Sequence, residues 1–527
     1  MSRRGNSTTH SRTGESDNLR DLLECRVDAT PEKHFLFSEG DGRSFTYAEF
    51  DAAVNRTVRL LAARGIAKGD KVSLLMPNSA EYILAYFACF KLGALAGPIN
   101  SLLKPPEMAF VIANSEAKAL IANSSFNPQI ESIRGDLPDL EVVIKFDSED
   151  KATRGFSGER EQLPVTAITN DDEAIIIYTS GTTGKPKGCM LTHGNLIANA
   201  KQIATWLGFT ESDRLLTVMP LFHMNAVSVT TMTPLYAGGS SVISPKFSAS
   251  RFWQIVSDYE VTSFGSVATM LAMLLEKYKD GIPQGLTTKQ LRFAMCGSAP
   301  IPAEVMTRFE ETFKCLVIEG YGLSESTCRS TFNPPDTRRR PGSCGMPIGN
   351  EMMIVDDDGH EVSNGELGEI VLRGDNILKG YYKNPDATER AFRGGWFYTG
   401  DIGYKDADGY FYIVDRKSDM IIRGGENIYP REIDEVLYQH PAIAAAATIG
   451  IPDDLYGEEV TAFVVLRAGS KTTEEELLEH CRIQLADFKC PKAIHIVDDI
   501  PKGPTGKLLK RELAAGFDES SNIRRNT

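Results

Sequence analysis

The sequence predicts an α/β protein of at least two domains, on three observations. Strand-like apolar runs alternate with helical segments twice over, first from KVSLLMP through AKALIAN and again from LLTVMP to LVIEGYG. From Gly342 the texture changes to short strands with frequent turns, as in EMMIVDDDGHEV, GEIVLRG and GYFYIVD, which reads as a small β-rich unit. Roughly the last hundred residues return to mixed helix and strand, which sets a boundary near Asp415.

The elements follow in order. Helical spacing begins at Leu19 in NLRDLLECRV, after a polar stretch over residues 1–18 that is expected to be a disordered tail without a secretory apolar core. HFLFS reads as a strand, Glu39 to Gly42 as a turn, and Thr46 with Glu49 as a capping box for a helix running to Gly65. The apolar run from Ile83 to Ile99 contains Lys91 and ends in Gly97-Pro98, so it reads as a buried helix entering a strand rather than a membrane span. Asp147 to Gln162 is charged and poorly periodic, a surface connection. Then EAIIIY, a buried strand, delivers the glycine-rich segment YTSGTTGKPKG.

Composition limits the function classes. A chain of 527 residues is too long for one compact core, and 42% hydrophobic with 24% charged residues is ordinary for a globular protein. A net charge of −14 disfavours nucleic acid as a partner. The dense cationic run Arg338, Arg339, Arg340 is expected to be a solvated loop. Nine cysteines without a C-x-x-C pair, several in apolar surroundings such as Cys89, point to reduced packing residues in a cytoplasmic enzyme, and eight histidines show no zinc spacing.

Chemistry gathers first at Tyr178 to Gly188. Gly181, Gly184 and Gly188 let backbone N–H groups approach an anion, Thr179, Ser180, Thr182 and Thr183 add hydroxyls, and Lys185 and Lys187 add charge. This composition asks for a nucleotide's phosphates, although the Walker pattern is absent because Pro186 follows Lys185. A plain surface loop is the alternative. In EGYGLSES, Glu325 offers an oxygen ligand for magnesium shared with phosphates, or is a solvated turn acid. Asp401 in YTGD follows a tight turn and either holds ribose hydroxyls or caps the turn. His223 in LFHMN is a lone histidine between aromatic and apolar neighbours, more often a satisfied core residue than a catalytic one. Arg416 stands at the boundary, Gly424-Gly425 form a turn ahead of a helix, and Lys507 follows a Pro/Gly-rich loop from which a lysine can neutralise charge in nucleotidyl transfer.

Taken together, these segments resemble the acyl-adenylate-forming superfamily, which includes acyl-CoA synthetases, luciferases and adenylation domains of peptide synthetases; the resemblance covers about Leu19 to Leu513. It implies a large N-terminal domain over 19–415, made of two related α/β subdomains plus a β-barrel (about 342–415), a small mobile α+β C-terminal domain over 416–516, and a tail over 517–527. The implied activity is an ATP-dependent acyl-CoA ligase, working with Mg2+ and coenzyme A. It also implies roles. Thr179, Ser180, Gly181, Thr182, Thr183, Gly184 and Lys185 would hold the ATP phosphates, and Glu325 the magnesium. Ser298, Ala299 and Pro300, after Gly297, with Glu319, Gly320, Tyr321, Gly322 and Ser324 would flank adenine, and Asp401 with Arg416 would hold the ribose. Lys507 would bridge carboxylate and α-phosphate. Gly424, Gly425 and Glu426 would replace it on the coenzyme A side once the small domain turns, with Ser418 at a hinge position where relatives carry Asp or Lys.

His223 is implied at the border of the acyl pocket and the thioester tunnel. The pocket would be drawn from Met224, Asn225, Thr327, Cys328 and Arg329, small and partly polar, which suits a short or functionalised acid. On this reading Arg329 or Asn225 meets a second polar or anionic group. Three alternatives stay open: a stand-alone enzyme loading a carrier protein, though the sequence ends soon after Lys507; a luciferase-like oxygenase; and a non-catalytic binding protein, against which Lys507 and Glu325 are both retained.

Overall fold

The computed structural model describes residues 16–179, 186–297, 301–453, 455–502, 510 and 512–514. Lys507, Ser180 to Lys185 and Ser298 to Pro300 therefore lie outside the described residues.

Two seven-stranded, mostly parallel sheets form the larger part. One runs in the order Leu316–Glu319, Phe293–Cys296, Ser263–Ser266, Arg214–Thr217, Ser240–Ile243, His34–Ser38, Arg43–Thr46, with only the last strand antiparallel. The other runs Gly380–Tyr381, Lys187–Thr192, Glu173–Thr179, Leu95–Pro98, Lys71–Leu75, Ala119–Ala122, Val142–Lys145. Each sheet is completed from a distance. The hairpin of residues 34–46 edges the sheet built from 214–319, and the short strand Gly380–Tyr381 edges the sheet built from 71–192.

The helix Ala80–Leu92 explains why the two sheets form one body, since every one of its 13 residues is buried. An all-round apolar helix has no solvent face to offer. Its one cation, Lys91, is buried too, and it bonds Asp51 at 2.7 Å, Glu24 at 2.8 Å and Asn55 Oδ1 at 2.8 Å, so the charge ties together the helices Leu19–Ala29 and Tyr47–Ala63. Thr46 and Glu49 make the expected capping box.

The β-rich unit is an open half-barrel rather than a closed barrel. Its antiparallel strands Glu351–Val355, Gly368–Arg373, Trp396–Lys405 and Phe411–Arg416, with the short Phe392–Arg393, do not pair edge to edge. Arg338 to Arg340 is not the solvated loop expected: Arg339 bonds Glu310 and the Val317 carbonyl, and Arg340 pairs with Asp406 and Asp408 over the Tyr410 ring. Arg338 remains at the surface beside Asp336, and Arg340 is partly exposed. Likewise the 147–162 connection is pinned at Glu149, buried against Arg56.

Beyond Arg416 the chain forms a sheet of Glu426–Ile428, Ile421–Arg423, Gly457–Leu466, Ile443–Asp453 and Ala493–Ile496, covered by the helices Pro430–Gln439 and Glu474–Gln484. The main hydrophobic cluster runs from Leu19 to Phe411, and those of the last sheet from Ile421 to Leu513, with no residue in common. Polar contacts between the two units include Arg467 with Glu304 at 3.2 Å. No helix among the described residues is long and apolar enough to cross a membrane.

Candidate active site

The site gathers at the carboxyl ends of the parallel strands, where a doubly wound sheet opens a crevice. Strand Glu173–Thr179 pairs antiparallel with Lys187–Thr192, Thr179 facing Lys187, so the glycine-rich segment is the connection of a hairpin. Thr179 Oγ1 lies 3.8 Å from Cys189 Sγ. The far-off strand Gly380–Tyr381 sets Tyr381 opposite Cys189, and the Tyr381 hydroxyl donates to Glu325 Oε1 at 3.1 Å. Lys187 stands 5.1 Å over the Tyr381 ring. Thr179, Lys187, Cys189, Tyr381 and Glu325 are thus one group, of which Tyr381 and Cys189 carry no sequence signal: the tyrosine is 56 positions from its partner.

Glu325 suits a magnesium ligand. Its partly exposed carboxylate has no lysine or arginine within ion-pair distance among the described residues, which leaves a hard anionic oxygen for a hard cation.

Strands Phe293–Cys296 and Leu316–Glu319 run side by side, with Cys296 facing Glu319, and their ends deliver Gly297 and Gly320-Tyr321-Gly322 together. These glycines are required by close approach. A Cβ at Gly297 would stand 2.6 Å from the Gly320 carbonyl oxygen and overlap the Arg329 guanidinium, one at Gly320 would overlap Phe332, and one at Gly322 the Cys328 carbonyl. Glu319 is buried, its Oε1 accepts the Ile301 N–H at 3.4 Å, and its Oε2 has no partner. Burial pushes this carboxyl up to about 7, against the pull of Arg431 from the helix Pro430–Gln439.

Asp401 does not follow a tight turn as expected. It lies within the ten-residue strand Trp396–Lys405, directly opposite Arg416, after Gly400 at φ 73°. Its carboxylate accepts the Tyr321 hydroxyl at 2.6 Å and pairs with Arg416 Nε at 3.3 Å. Burial and this carboxylate together hold the Tyr321 phenol far above its ordinary value. Ser418 is exposed and bonds Asp419 in the turn after Arg416.

The segment from Ser324 is bent. After a 3-10 turn over Ser324–Ser326, Thr327 takes φ 67°, a left-handed conformation that costs a β-branched residue of order 1–3 kcal/mol. Asn376 holds it there: Thr327 Oγ1 donates to the Asn376 carbonyl at 2.7 Å, and the Asn376 amide donates to the Ser326 carbonyl at 3.1 Å. The bend turns Cys328 and Arg329 inward, both buried. Asn199 clamps Arg329 by its backbone, donating to the carbonyl at 2.6 Å, and also accepts the Ser228 hydroxyl at 2.8 Å.

Ser228 lies on Asn225–Met232, a π-helical stretch, an infrequent geometry that clusters at functional sites. Just before it, His223 is placed by the loop that Asn78 fixes through the Leu221 N–H and the Met219 carbonyl. His223 is partly exposed, yet its Nε2 is enclosed without a partner, and burial lowers the imidazole to about 4. It is neutral at pH 7. Asn225 also keeps both amide atoms buried and unpaired, packed so close that a Cβ on Gly265 would stand 2.8 Å from its Oδ1. Met224 is buried beside it.

Gly424 and Gly425, at φ 60° and 90°, form the turn of the hairpin Ile421–Arg423/Glu426–Ile428, where two positive φ values match the strand twist. Gly424 N–H bonds the Tyr456 carbonyl, so this turn is held within the last sheet.

A doubly wound body, a half-barrel and a separate α+β unit, with Glu325 and the Asp401–Arg416 pair, make up the architecture of a nucleotide-dependent ligase, and its relatives give the class. Residues 23–382 match the AMP-binding enzyme family and residues 432–507 the AMP-binding enzyme C-terminal domain, and the chain belongs to that family. It is 37% identical over 503 residues to a sulfoacetate–CoA ligase of Cupriavidus necator (94% of this chain, 97% of the relative). It is 35% identical to the long-chain-fatty-acid–CoA ligase FadD13 of Mycobacterium tuberculosis (94% and 98%). The o-succinylbenzoate coenzyme A synthetase of Bacillus subtilis, solved with ATP and magnesium ion, superposes with a TM-score of 0.84 at 34% identity (95% and 100%). The chain is accordingly an acyl-CoA ligase, an acid–thiol ligase that activates a carboxylic acid with ATP as acyl-AMP and passes the acyl group to coenzyme A.

Proposed function

We propose that the acid is short and functionalised, and that the residues above divide the work of the two half-reactions. The observation that carries this reading is that Asn225 and Arg329 are buried with polar side-chain atoms that have no partner among the described residues, which a long alkyl chain would leave unmet. The relatives do not decide between acids, because one is named for sulfoacetate and another for long-chain fatty acids.

In the first half-reaction a carboxylate oxygen attacks the α-phosphorus of ATP and pyrophosphate leaves. Thr179 and the segment Ser180 to Lys185 hold the β- and γ-phosphates. Ser298 to Pro300, Glu319 to Gly322 and Ser324 enclose adenine, and Asp401, oriented by Tyr321 and Arg416, accepts the ribose hydroxyls. Glu325 is the residue that would hold magnesium, whose charge, when bound, offsets that of the phosphates. Lys507 bridges carboxylate and α-phosphate. In the second, the thiol of coenzyme A attacks the acyl carbon and AMP leaves. A mixed anhydride makes the carbonyl carbon electrophilic where a carboxylate is not. His223, neutral, lines the passage of the thiol without adding charge.

For that step the unit after Arg416 turns about Ser418 and brings Gly424, Gly425 and Glu426 where Lys507 stood. Separate hydrophobic clusters and polar contacts between the units support such a rotation. The buried, unpaired thiols support work in a reducing compartment, the cytoplasm. The test incubates the protein with ATP, magnesium and coenzyme A against acids from short to long chain, reading AMP and thioester mass together. Both products with short functionalised acids are expected, and thioester formed only from long-chain acids would overturn the reading.

A further inference from the structure

Arg329 is among the largest fully buried side chains, 1% exposed, and no carboxylate stands within ion-pair distance of it among the described residues. Its Nη1 donates to the Gly320 carbonyl at 3.1 Å, and its guanidinium carbon stands 5.3 Å over the Phe332 ring. Nε and Nη2 have no partner among the described residues. Those two atoms are the side-on edge of the guanidinium, whose parallel N–H bonds match two oxygens of one carboxylate or sulfonate.

A buried cation with half its donors unpaired is costly to keep. The protein nevertheless fixes it. Asn199 clamps its backbone, the bend at Thr327 turns it inward, and Gly297 yields the space its Nη1 occupies. Through Asn199 and Ser228 the same clamp reaches the π-helical stretch that begins at Asn225, where a second unpaired polar side chain is buried. The segments that carry the two buried, unpaired side chains, Arg329 and Asn225, are thus tied to each other through Asn199 and Ser228. A monocarboxylate, once its carboxylate reaches the α-phosphate, has nothing anionic left for that edge.

We propose that Arg329 is the specificity-determining residue of the acyl pocket, and that its Nε–Nη2 edge receives a second anionic group of the acid, so that the enzyme selects short dianionic acids. This rests on the short-acid ligase reading and adds the charge of the substrate's far end. Arg329 takes no part in bond making. It positions the acid and rejects analogues that would leave its donors unpaired.

The experiment compares acids matched in length, malonate with propionate and succinate with butyrate, by kcat/KM for thioester formation with the full chain. The wild type is expected to favour the dianion of a pair by about 100-fold. Arg329→Gln is expected to lose most of that preference, kcat/KM falling by a much larger factor with the dianion than with the monoanion of the same pair. Arg329→Lys, which keeps charge and stem but not the fork, is the second variant should the first not fold, and is expected to lose about tenfold with the dianion alone. Equal or better use of the monoanions by the wild type overturns the proposal and leaves the ligase intact. So does an equal loss with both members of a pair in a folded variant, which is what a merely structural arginine gives. If no short acid of either kind yields AMP and thioester, the short-acid reading falls, and this one with it.

Discussion

Glu319 is the residue whose charge the fold controls most closely. Its carboxyl is held up to about 7 by burial while the unfolded chain releases the same proton near 4.5. Between those values the native state binds a proton that the unfolded state does not, so this group's contribution to stability falls as pH rises from 4.5 to 7 and is level above, by about 3 kcal/mol in all. Glu319→Gln is expected to remove that slope, so its stability relative to the wild type should grow over pH 5–7 in urea titrations and then stay constant. His223 works in the opposite sense: lowered to about 4, it costs stability as pH falls below about 6.5, equally in both proteins. Gly322→Ala, by contrast, meets backbone that cannot yield, the Cys328 carbonyl, and is expected to lower stability by about 3 kcal/mol or more and abolish AMP formation. The motif around Gly322 and Glu325 was legible because hydroxyl, glycine and acid side chains cluster along the chain. The charge state of Glu319 was not, since it is set by Ile301, Arg431 and burial, none of them neighbours in sequence.

At the scale of elements, the strand Gly380–Tyr381 is only two residues long, yet it sets the hydroxyl that orients Glu325. Tyr381→Phe keeps the ring under Lys187 and removes that hydrogen bond, at a cost of about 1 kcal/mol. A magnesium titration of AMP formation should show a several-fold higher magnesium requirement with little change at saturation; an unaltered titration would separate the tyrosine from the metal site. Pattern reading works for long periodic elements such as Ala80–Leu92 and fails for a two-residue edge whose partner lies nearly two hundred positions away. It also reads Asp401 as a turn acid because Gly400 precedes it, whereas the positive φ there is absorbed within a strand. The arginines at 339 and 340 look solvated in sequence because their acids, Glu310, Asp406 and Asp408, arrive from other elements.

For the whole molecule, two sets of hydrophobic clusters without a common residue predict two calorimetric transitions. The smaller unit contains the pair of Asp434, on the helix Pro430–Gln439, and the partly buried Lys510, 3.1 Å apart. Asp434→Ala removes the nearest carboxylate from that lysine and is expected to lower the minor transition, by about 2 kcal/mol, with the major one unmoved. A single shared transition shifted as a unit would mean that the two parts are energetically one. The alternation of strand and helix announces the class of each sheet; its membership is hidden, because the edge hairpin His34–Ser38/Arg43–Thr46 joins strands that come much later. That hairpin has a consequence for biosynthesis. Ser240 bonds the His34 carbonyl across 206 positions, so on the ribosome the early strand waits for its partner through about 10–40 s of translation. The ladder edge that His34–Ser38 offers to Ser240–Ile243 stays unpaired for that time, so the sheet begun first in synthesis waits with an open edge.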